Sequence, residues 1–237
     1  MISQTELSIA RYDPETDPAP SWRSYTIRTE PGMTLQDALV QVRDEQDGSL
    51  RFREAEPGGF SGVGAVTLNG RPVLPVREPL PSAGEEIRIG PLSNHAVIVD
   101  LVVDGEISRN RLARLSPWMQ RVDAPDPERP TPMTREELDR LQRSEFCNGC
   151  GICDAAVRGV DVDFLGAAYL LKTYRLAADV RDDFDRERLE MAVGPNGMWR
   201  LNLAQFASDP CPYHLAPFAQ IDKLRRAAEL NGFRNPG

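Results

Sequence analysis

The 237-residue chain lacks a long hydrophobic run, a basic amino-terminal segment and an excess of positive charge. Its most apolar stretch, residues 96–103, is interrupted by Asp100. That stretch is far shorter than the roughly 20 residues that a membrane-spanning helix needs. Residues 1–6 contain no basic region followed by an apolar run, so no signal peptide is visible. These absences predict a soluble, cytoplasmic protein.

The shortage of positive charge argues against two further classes of binding partner, nucleic acid and anionic lipid. Acidic residues number 36 and basic residues 28, which gives a formal net charge of −8 at pH 7. Nucleic-acid binders normally carry a basic patch, and anionic lipid attracts basic segments, so neither is expected as a partner. The sequence also lacks a glycine-rich dinucleotide motif and a visible catalytic triad. We therefore do not expect this chain to bind flavin or to perform bond chemistry alone.

The first hundred residues are typical of strands with one helix. Alternation of apolar and polar residues, together with an Asn-Gly turn signal at 69–70, predicts two hairpins and a further strand. The predicted strands are 6–12, 22–27, 65–68, 73–74 and 86–89. A capping-box-like start at Thr34 and the apolar spacing after it predict a helix over 34–45. This combination predicts an α+β arrangement of the β-grasp type.

A proline-rich segment separates this half from the second. Residues 123–132 contain four prolines, which indicates a linker or a connection along the surface. Beyond it the spacing of apolar residues becomes helical, beginning with a capping box at Thr134. The predicted helices are one that starts near 134, and then 164–178, 186–192 and 216–230. The second half is therefore predicted to be all-α.

The four cysteines form the strongest chemical signal. Cys147, Cys150 and Cys153 follow a C-x₂-C-x₂-C pattern, and the distant Cys211 is followed at once by proline. Cysteines in a cytosolic chain indicate metal or catalytic chemistry more often than disulfides. Three close thiolates with a remote Cys-Pro match the ligand pattern of a [4Fe–4S] cluster. A structural zinc site and a set of unrelated buried cysteines are the alternatives.

The chain contains two histidines, His95 and His214. His214 lies three residues after Cys211 and is a candidate for tuning a cluster by hydrogen bonding, with a surface or packing role as the alternative. His95 is expected to be structural. The position that would supply the next cysteine of a two-cluster ferredoxin run holds Val157 instead, so no second cubane is expected beside the first.

The chain resembles the iron–sulfur subunits of succinate dehydrogenase and fumarate reductase over nearly its whole length. The segments that carry the resemblance are 11–15, 32–39, 45–50, 68–74, 97–104, the cysteine run, 164–168, 174–175, 178–182 and 211–212. The resemblance implies a plant-type ferredoxin-like β-grasp domain over residues 1–106. A ferredoxin-type all-α domain, carrying the cluster, follows over residues 107–237.

Members of this family normally carry three clusters, and the resemblance assigns a position to each ligand. The [2Fe–2S] positions hold Glu56, Ser61, Gly64 and Val76, and the [3Fe–4S] positions hold Val157, Leu201 and Ala207. The [4Fe–4S] positions hold Cys147, Cys150, Cys153 and Cys211. Because these clusters require thiolates, the resemblance implies one [4Fe–4S] cluster and neither of the other two. FAD is expected on the partner subunit only.

The resemblance also bears on partners. The family places aromatic residues beside a quinone just after the cysteine run, whereas residues 158–163 contain none. A flavoprotein subunit of the succinate dehydrogenase/fumarate reductase type is therefore expected as a partner, and membrane-anchor subunits are not. The complex would oxidise or reduce a carbon–carbon bond beside a carboxylate, with this chain as a non-catalytic subunit. The alternatives are a scaffold whose cluster is structural, and a free electron carrier of the ferredoxin type.

Overall fold

The computed structural model describes residues 3–82, 84–160, 163–206 and 209–235. By its internal contacts the chain divides into two compact units. The first contains Met1–Gly105 and Asn148–Ala156, and the second contains Glu106–Cys147 and Val157–Gly237. The cysteine run, assigned from the sequence to the helical half, is thus divided: its last two cysteines cluster with the first unit.

The helices and strands of the described residues follow in chain order. The strands are β1 (Ser3–Arg11), β2 (Ser21–Thr29), β3 (Val66–Leu68), β4 (Arg71–Val73), β5 (Arg88–Pro91), β6 (Val97–Val99) and β7 (Val102–Val103). The α-helices are α1 (Leu35–Glu45), α2 (Glu106–Arg114), α3 (Arg135–Leu141), α4 (Ile152–Ala156), α5 (Ala167–Ala177), α6 (Asp185–Val193) and α7 (Pro217–Leu230). Two 3₁₀ turns cover Met198–Arg200 and Leu203–Gln205.

The first unit is built on a five-stranded mixed sheet. The strand order is β2-β1-β5-β3-β4, with β1 antiparallel to β2 and parallel to β5. The predicted Asn-Gly turn joins β3 to β4, and both Asn69 (φ +50°) and Gly70 (φ +78°) adopt the left-handed conformation that a two-residue hairpin turn requires. The strands predicted at 6–12 and 22–27 are confirmed, and each is longer than predicted.

Helix α1 covers the core of this unit. Thr34 and Asp37 form the predicted capping box, in which each side chain accepts the other's backbone N–H. The apolar stripe of the helix is fully buried, together with the inward residues of β1 and β2. The buried stripe consists of Leu35, Ala38, Leu39 and Val42. Removing this apolar surface from water is the main source of stability of the unit.

The second unit is helical, as predicted. Helix α5 packs against α6 and α7, and its buried residues include Leu170, Leu171 and Leu176. Helix α5 begins three residues later than predicted because Gly166, at φ +99°, cannot continue a helical backbone. Within the described ranges, no helix is both long and apolar enough to cross a bilayer.

Candidate metal centre

The four cysteines lie in loops and in one short helix. Cys153 lies in α4 and is 9% exposed, whereas Cys147, Cys150 and Cys211 are half-buried. Cys150 and Cys153 belong to the first unit, and Cys147 and Cys211 to the second. Throughout 3–82, 84–160, 163–206 and 209–235, no group of three or more His, Cys, Asp or Glu side chains is arranged to hold a metal ion. The four-cysteine site therefore stays a prediction.

Two glycines shape the cysteine run. Gly149 (φ +73°) and Gly151 (φ +81°) adopt left-handed conformations in which other residues are strained. A Cβ atom at Gly151 would lie 3.1 Å from Leu92 Cδ2 and 3.2 Å from His95 Nε2. Glycine at this position therefore lets the backbone between Cys150 and Cys153 approach the 92–95 loop.

His95 lies beside Gly151 of the run, which the sequence did not indicate. Its Nδ1 atom lies 2.8 Å from the carbonyl oxygen of Ser93, and this contact holds the ring in place beside Gly151. Asn94, the preceding residue, donates from Nδ2 to the carbonyl oxygen of Asp154 at 3.0 Å. The loop that precedes β6 thus supports the segment that carries Cys153.

Cys211 is surrounded by backbone amides of its own loop. Burial raises the pKa of the Cys211 thiol, and hydrogen bonds from the backbone N–H groups of Leu215, Tyr213 and His214 act in the opposite direction. Those amides favour the thiolate form. His214 is exposed, and its backbone N–H donates to the carbonyl oxygen of Cys211 at 3.0 Å.

Asp209 fixes the loop around Cys211. Its Oδ1 atom accepts the N–H of Cys211 at 2.9 Å, and its Oδ2 atom accepts the N–H of Ala216 at 3.0 Å. Ala216 takes a left-handed conformation (φ +49°), and α7 begins at Pro217. Sequence reasoning missed Asp209, although an aspartate two residues before a turn is a known hydrogen-bonding signal.

Asn148 lies inside the cysteine run and was also missed. Its Oδ1 atom accepts the N–H of Cys150 at 3.2 Å, and its Nδ2 atom donates to the carbonyl oxygen of Phe60 at 2.9 Å. The first contact is the short-range turn that asparagine commonly makes, and the residue type alone could have indicated it. The second contact joins residues 88 positions apart, which no local pattern reveals.

By residue type, the four cysteines suit an iron–sulfur cluster. Four thiols are available, two left-handed glycines turn the run, and backbone N–H groups point at the sulfur of Cys211. Hydrogen bonds to the sulfur atoms of such clusters are among the features that set their reduction potential. Thiolate ligands also suit zinc, so the chemistry of the donors alone does not distinguish the two metals.

Comparison with known proteins identifies the family. Residues 6–109 match the family model of the 2Fe-2S iron-sulfur cluster binding domain. The fumarate reductase iron-sulfur subunit of Mycobacterium tuberculosis is 30% identical over 99% of this chain and 96% of its own length. The chain belongs to the iron–sulfur subunit family of fumarate reductase and succinate dehydrogenase. Similarity extends to a mitochondrial succinate dehydrogenase iron-sulfur subunit of rice, which is 30% identical over 93% of this chain and 80% of its own.

The fold of this family is also found in a solved structure. A chain of the Sdh1 complex of Mycobacterium smegmatis in the apo form superposes with a TM-score of 0.87, covering 100% of both chains at 22% identity. At that identity the likeness concerns the α+β fold alone. The relatives that are 30% identical over nearly the whole chain confirm, at the level of the family, the resemblance read from the sequence motifs.

The residues that the resemblance assigns to the family's [2Fe–2S] ligand positions make contacts within the protein. Ser61 donates from both its N–H and its hydroxyl to the carboxylate of Glu56, each at 2.5 Å. These hydrogen bonds lower the pKa of Glu56, and the bond from the Ser61 hydroxyl has the larger effect. A Cβ atom at Gly64 (φ +83°) would overlap the carbonyl oxygen of Arg53. Without a movement of the backbone, the loop has no room for a side chain at this position.

The residues that the resemblance assigns to the [3Fe–4S] ligand positions are apolar. Val157 is 2% exposed and Leu201 is 3% exposed, and both belong to the buried core. Ala207 lies outside the described residues. Branched hydrocarbon side chains thus occupy two of the three positions, and hydrocarbon supplies no metal ligand.

Proposed function

We propose that this chain is the iron–sulfur subunit of a soluble, cytoplasmic flavoprotein complex resembling succinate dehydrogenase and fumarate reductase. Its one [4Fe–4S] cluster would be held by Cys147, Cys150, Cys153 and Cys211. The β-grasp domain (1–106) and the cluster-bearing helical domain (107–237) belong to the same proposal. The observation that carries it is a complete set of four cysteines in a family member whose other cluster positions hold none.

The restriction to one cluster rests on the absence of thiols elsewhere. The residues that match the 2Fe-2S domain model, 6–109, contain no cysteine. The hydrogen bonds between Ser61 and Glu56, and the burial of Val157 and Leu201, support the view that both other sites have been taken over by protein contacts. Random loss of ligands would rarely have spared one whole set of four.

The chain's own residues would prepare the cluster site in three ways. The four thiolates would supply the ligands, and the amides of 213–215 would donate to the sulfur of Cys211. Gly149 and Gly151 would let the run turn through its left-handed conformations. When bound, a cluster of this type supplies a one-electron centre whose potential depends on hydrogen bonding and solvent exposure.

The partner follows from the family. Relatives are named as subunits of fumarate reductase and succinate dehydrogenase, so the expected partner is a flavoprotein that carries FAD and acts on a carbon–carbon bond. We expect neither nucleic acid nor membrane-anchor subunits in the complex. With one cluster, electrons would reach this chain from the flavin and leave by a route other than the family's three-cluster chain.

Anaerobic co-purification tests the proposal. Tagged protein should retain a flavin-containing partner, and Cys150→Ser should lose turnover with an artificial electron acceptor while the two subunits stay together. Ser82→Ala, on an exposed loop, is the control and should leave turnover unchanged. The loss reflects removal of one ligand from the predicted cluster.

Other outcomes would contradict the proposal in distinct ways. Full turnover with Cys150→Ser in an intact complex would favour the scaffold, because the cluster would then serve structure alone. Failure to retain any flavoprotein would favour a free carrier. In either case, the electron-transfer role within a complex would be withdrawn.

A further inference from the structure

The loop over residues 56–62, which the resemblance assigns to the family's [2Fe–2S] site, is closed by hydrogen bonds between its own residues. The N–H and hydroxyl of Ser61 donate to Glu56, and the N–H of Gly59 donates to the backbone carbonyl of Glu56 at 2.9 Å. The N–H of Gly62 donates in turn to the carbonyl of Gly59 at 3.2 Å. Residues 56–62 are therefore held together by their own hydrogen bonds.

This loop receives the side chain of Asn148. The Nδ2 atom of Asn148 donates to the carbonyl oxygen of Phe60 at 2.9 Å. A Cβ atom at Gly62 (φ +71°) would lie 2.7 Å from both Nδ2 and Oδ1 of Asn148, closer than real side chains approach. Glycine at position 62 is thus required for this contact, so the loop is shaped to accept the asparagine.

The other end of the Asn148 amide holds a predicted cluster ligand. Its Oδ1 atom accepts the N–H of Cys150 at 3.2 Å. One side chain therefore joins the closed loop to the backbone of Cys150, and it uses both its donor and its acceptor to do so. The four-residue turn from Cys147 to Cys150 contains Gly149, whose freedom would otherwise leave Cys150 weakly oriented.

We propose that Asn148 is a positioning residue and that the closed loop 56–62 anchors the cysteine run through it, so that Cys150 is held ready for a cluster. This inference rests on the proposed [4Fe–4S] site. It gives the former [2Fe–2S] loop a new use: the loop supports the remaining site instead of holding a second one. The contacts that carry it all lie within the first unit.

Two substitutions at position 148 distinguish the contact made by the Asn148 donor from the contact made by its acceptor. Asn148→Ala removes both contacts, whereas Asn148→Asp keeps an oxygen for the N–H of Cys150 but cannot donate to Phe60 at neutral pH. Asn231→Ala is the matched control, because Asn231 is exposed and its side chain donates to the carbonyl of Ala227 at the end of its own helix.

Iron release to a ferrous chelator and amide hydrogen exchange are measured on the holoprotein in each case. Asn148→Ala should release iron at least about tenfold faster, the usual effect of removing an outer partner of a metal ligand. Amide exchange across 59–62 should also rise. Asn148→Asp should raise exchange to the same extent but release iron more slowly than the alanine variant. The control should match wild type, and the low-temperature EPR spectrum of the reduced protein should change only in the Asn148 variants.

The results distinguish this inference from the function on which it rests. If wild type holds four irons but Asn148→Ala releases them at the wild-type rate, the positioning role is wrong and the cluster assignment stands. If wild type holds no iron, the cluster assignment fails, and exchange across 59–62 alone then decides whether Asn148 anchors the loop. Should the alanine variant not fold, the aspartate variant carries the comparison.

Discussion

Replacing Arg188 by alanine removes one partner of a deeply buried ion pair in the helical unit. Arg188 is 1% exposed, and its Nη2 atom lies 3.0 Å from Oδ2 of Asp182, whose side chain is inaccessible to solvent. The same guanidinium donates to oxygens of the segment before the proline-rich stretch. Those acceptors are the carbonyls of Leu115 (2.5 Å), Ser116 (3.1 Å) and Trp118 (3.0 Å), and Oε1 of Gln120 (3.3 Å).

The expected loss of folding stability follows from the buried charge of Asp182, which the substitution leaves without its partner. Breaking a buried ion pair by removing one partner costs about 3–5 kcal/mol, because the other charge stays buried without compensation. Here Asp182 keeps the N–H groups of Gln120 and Phe184, which places the loss near the lower end of that range. A domain is stable by only about 5–15 kcal/mol, so we expect a fall in melting temperature on the order of 10 °C.

Urea unfolding followed by circular dichroism measures this loss, with Arg186→Ala as the matched control. Arg186 lies on the same helix, but its side chain is 61% exposed and it pairs with Glu190 at the surface. Exposed pairs of this kind contribute about 0–1 kcal/mol. If Arg188→Ala were no more destabilising than Arg186→Ala, the reasoning from burial would be refuted.

Two further predictions concern single carboxylates. Asp209→Ala should release iron about tenfold faster than wild type, because the loop around Cys211 loses both hydrogen bonds to the Asp209 side chain. Asp222 is an exposed carboxylate on α7, so Asp222→Ala should release iron at the wild-type rate, and equal rates for the two variants would contradict the role of Asp209. Burial opposes ionisation of Asp179, but hydrogen bonds from Arg181 and Arg175 prevail and lower its pKa to about 2. Because the folded-state pKa lies below the unfolded value, Asp179 contributes about 2 kcal/mol that is present above pH 4 and is lost as the pH falls towards 2. Acid unfolding of Asp179→Asn should show less pH dependence across that interval, and an unchanged profile would count against the pairing.

Local signals in the sequence were sufficient for most helices and for two of the hairpins, but not for the pairing of β6 with β7. The capping boxes at Thr34 and Thr134 and the Asn-Gly turn all occur as predicted, because each is a short-range interaction that the residue types specify. The predicted strand 86–89 instead spans Arg88–Pro91, since pairing with β3 rather than alternation sets its register. Helix α2 was not predicted because none of its residues is buried, and it therefore shows no apolar stripe.

The surroundings of the cysteines were harder to predict than the cysteines themselves. Spacing alone indicated the four residues and their chemistry. The contacts of Asn148 with Phe60, and of Asn94 with Asp154, join residues that are distant in the sequence. Such contacts depend on the packing of whole elements, which periodicity does not encode. Asp209 and the amides around Cys211 depend equally on a loop whose left-handed residues, His214 and Ala216, are not glycines.

Quantifying iron, zinc and acid-labile sulfide in anaerobically purified protein tests the central claim most directly. One [4Fe–4S] cluster predicts about four iron atoms and four sulfides for each chain, with broad absorbance near 400 nm. Zinc in place of iron would contradict the assignment of Cys147, Cys150, Cys153 and Cys211 to a cluster. Iron near eight to ten atoms for each chain would show that the family's other cluster sites are still occupied, which these residues should not permit.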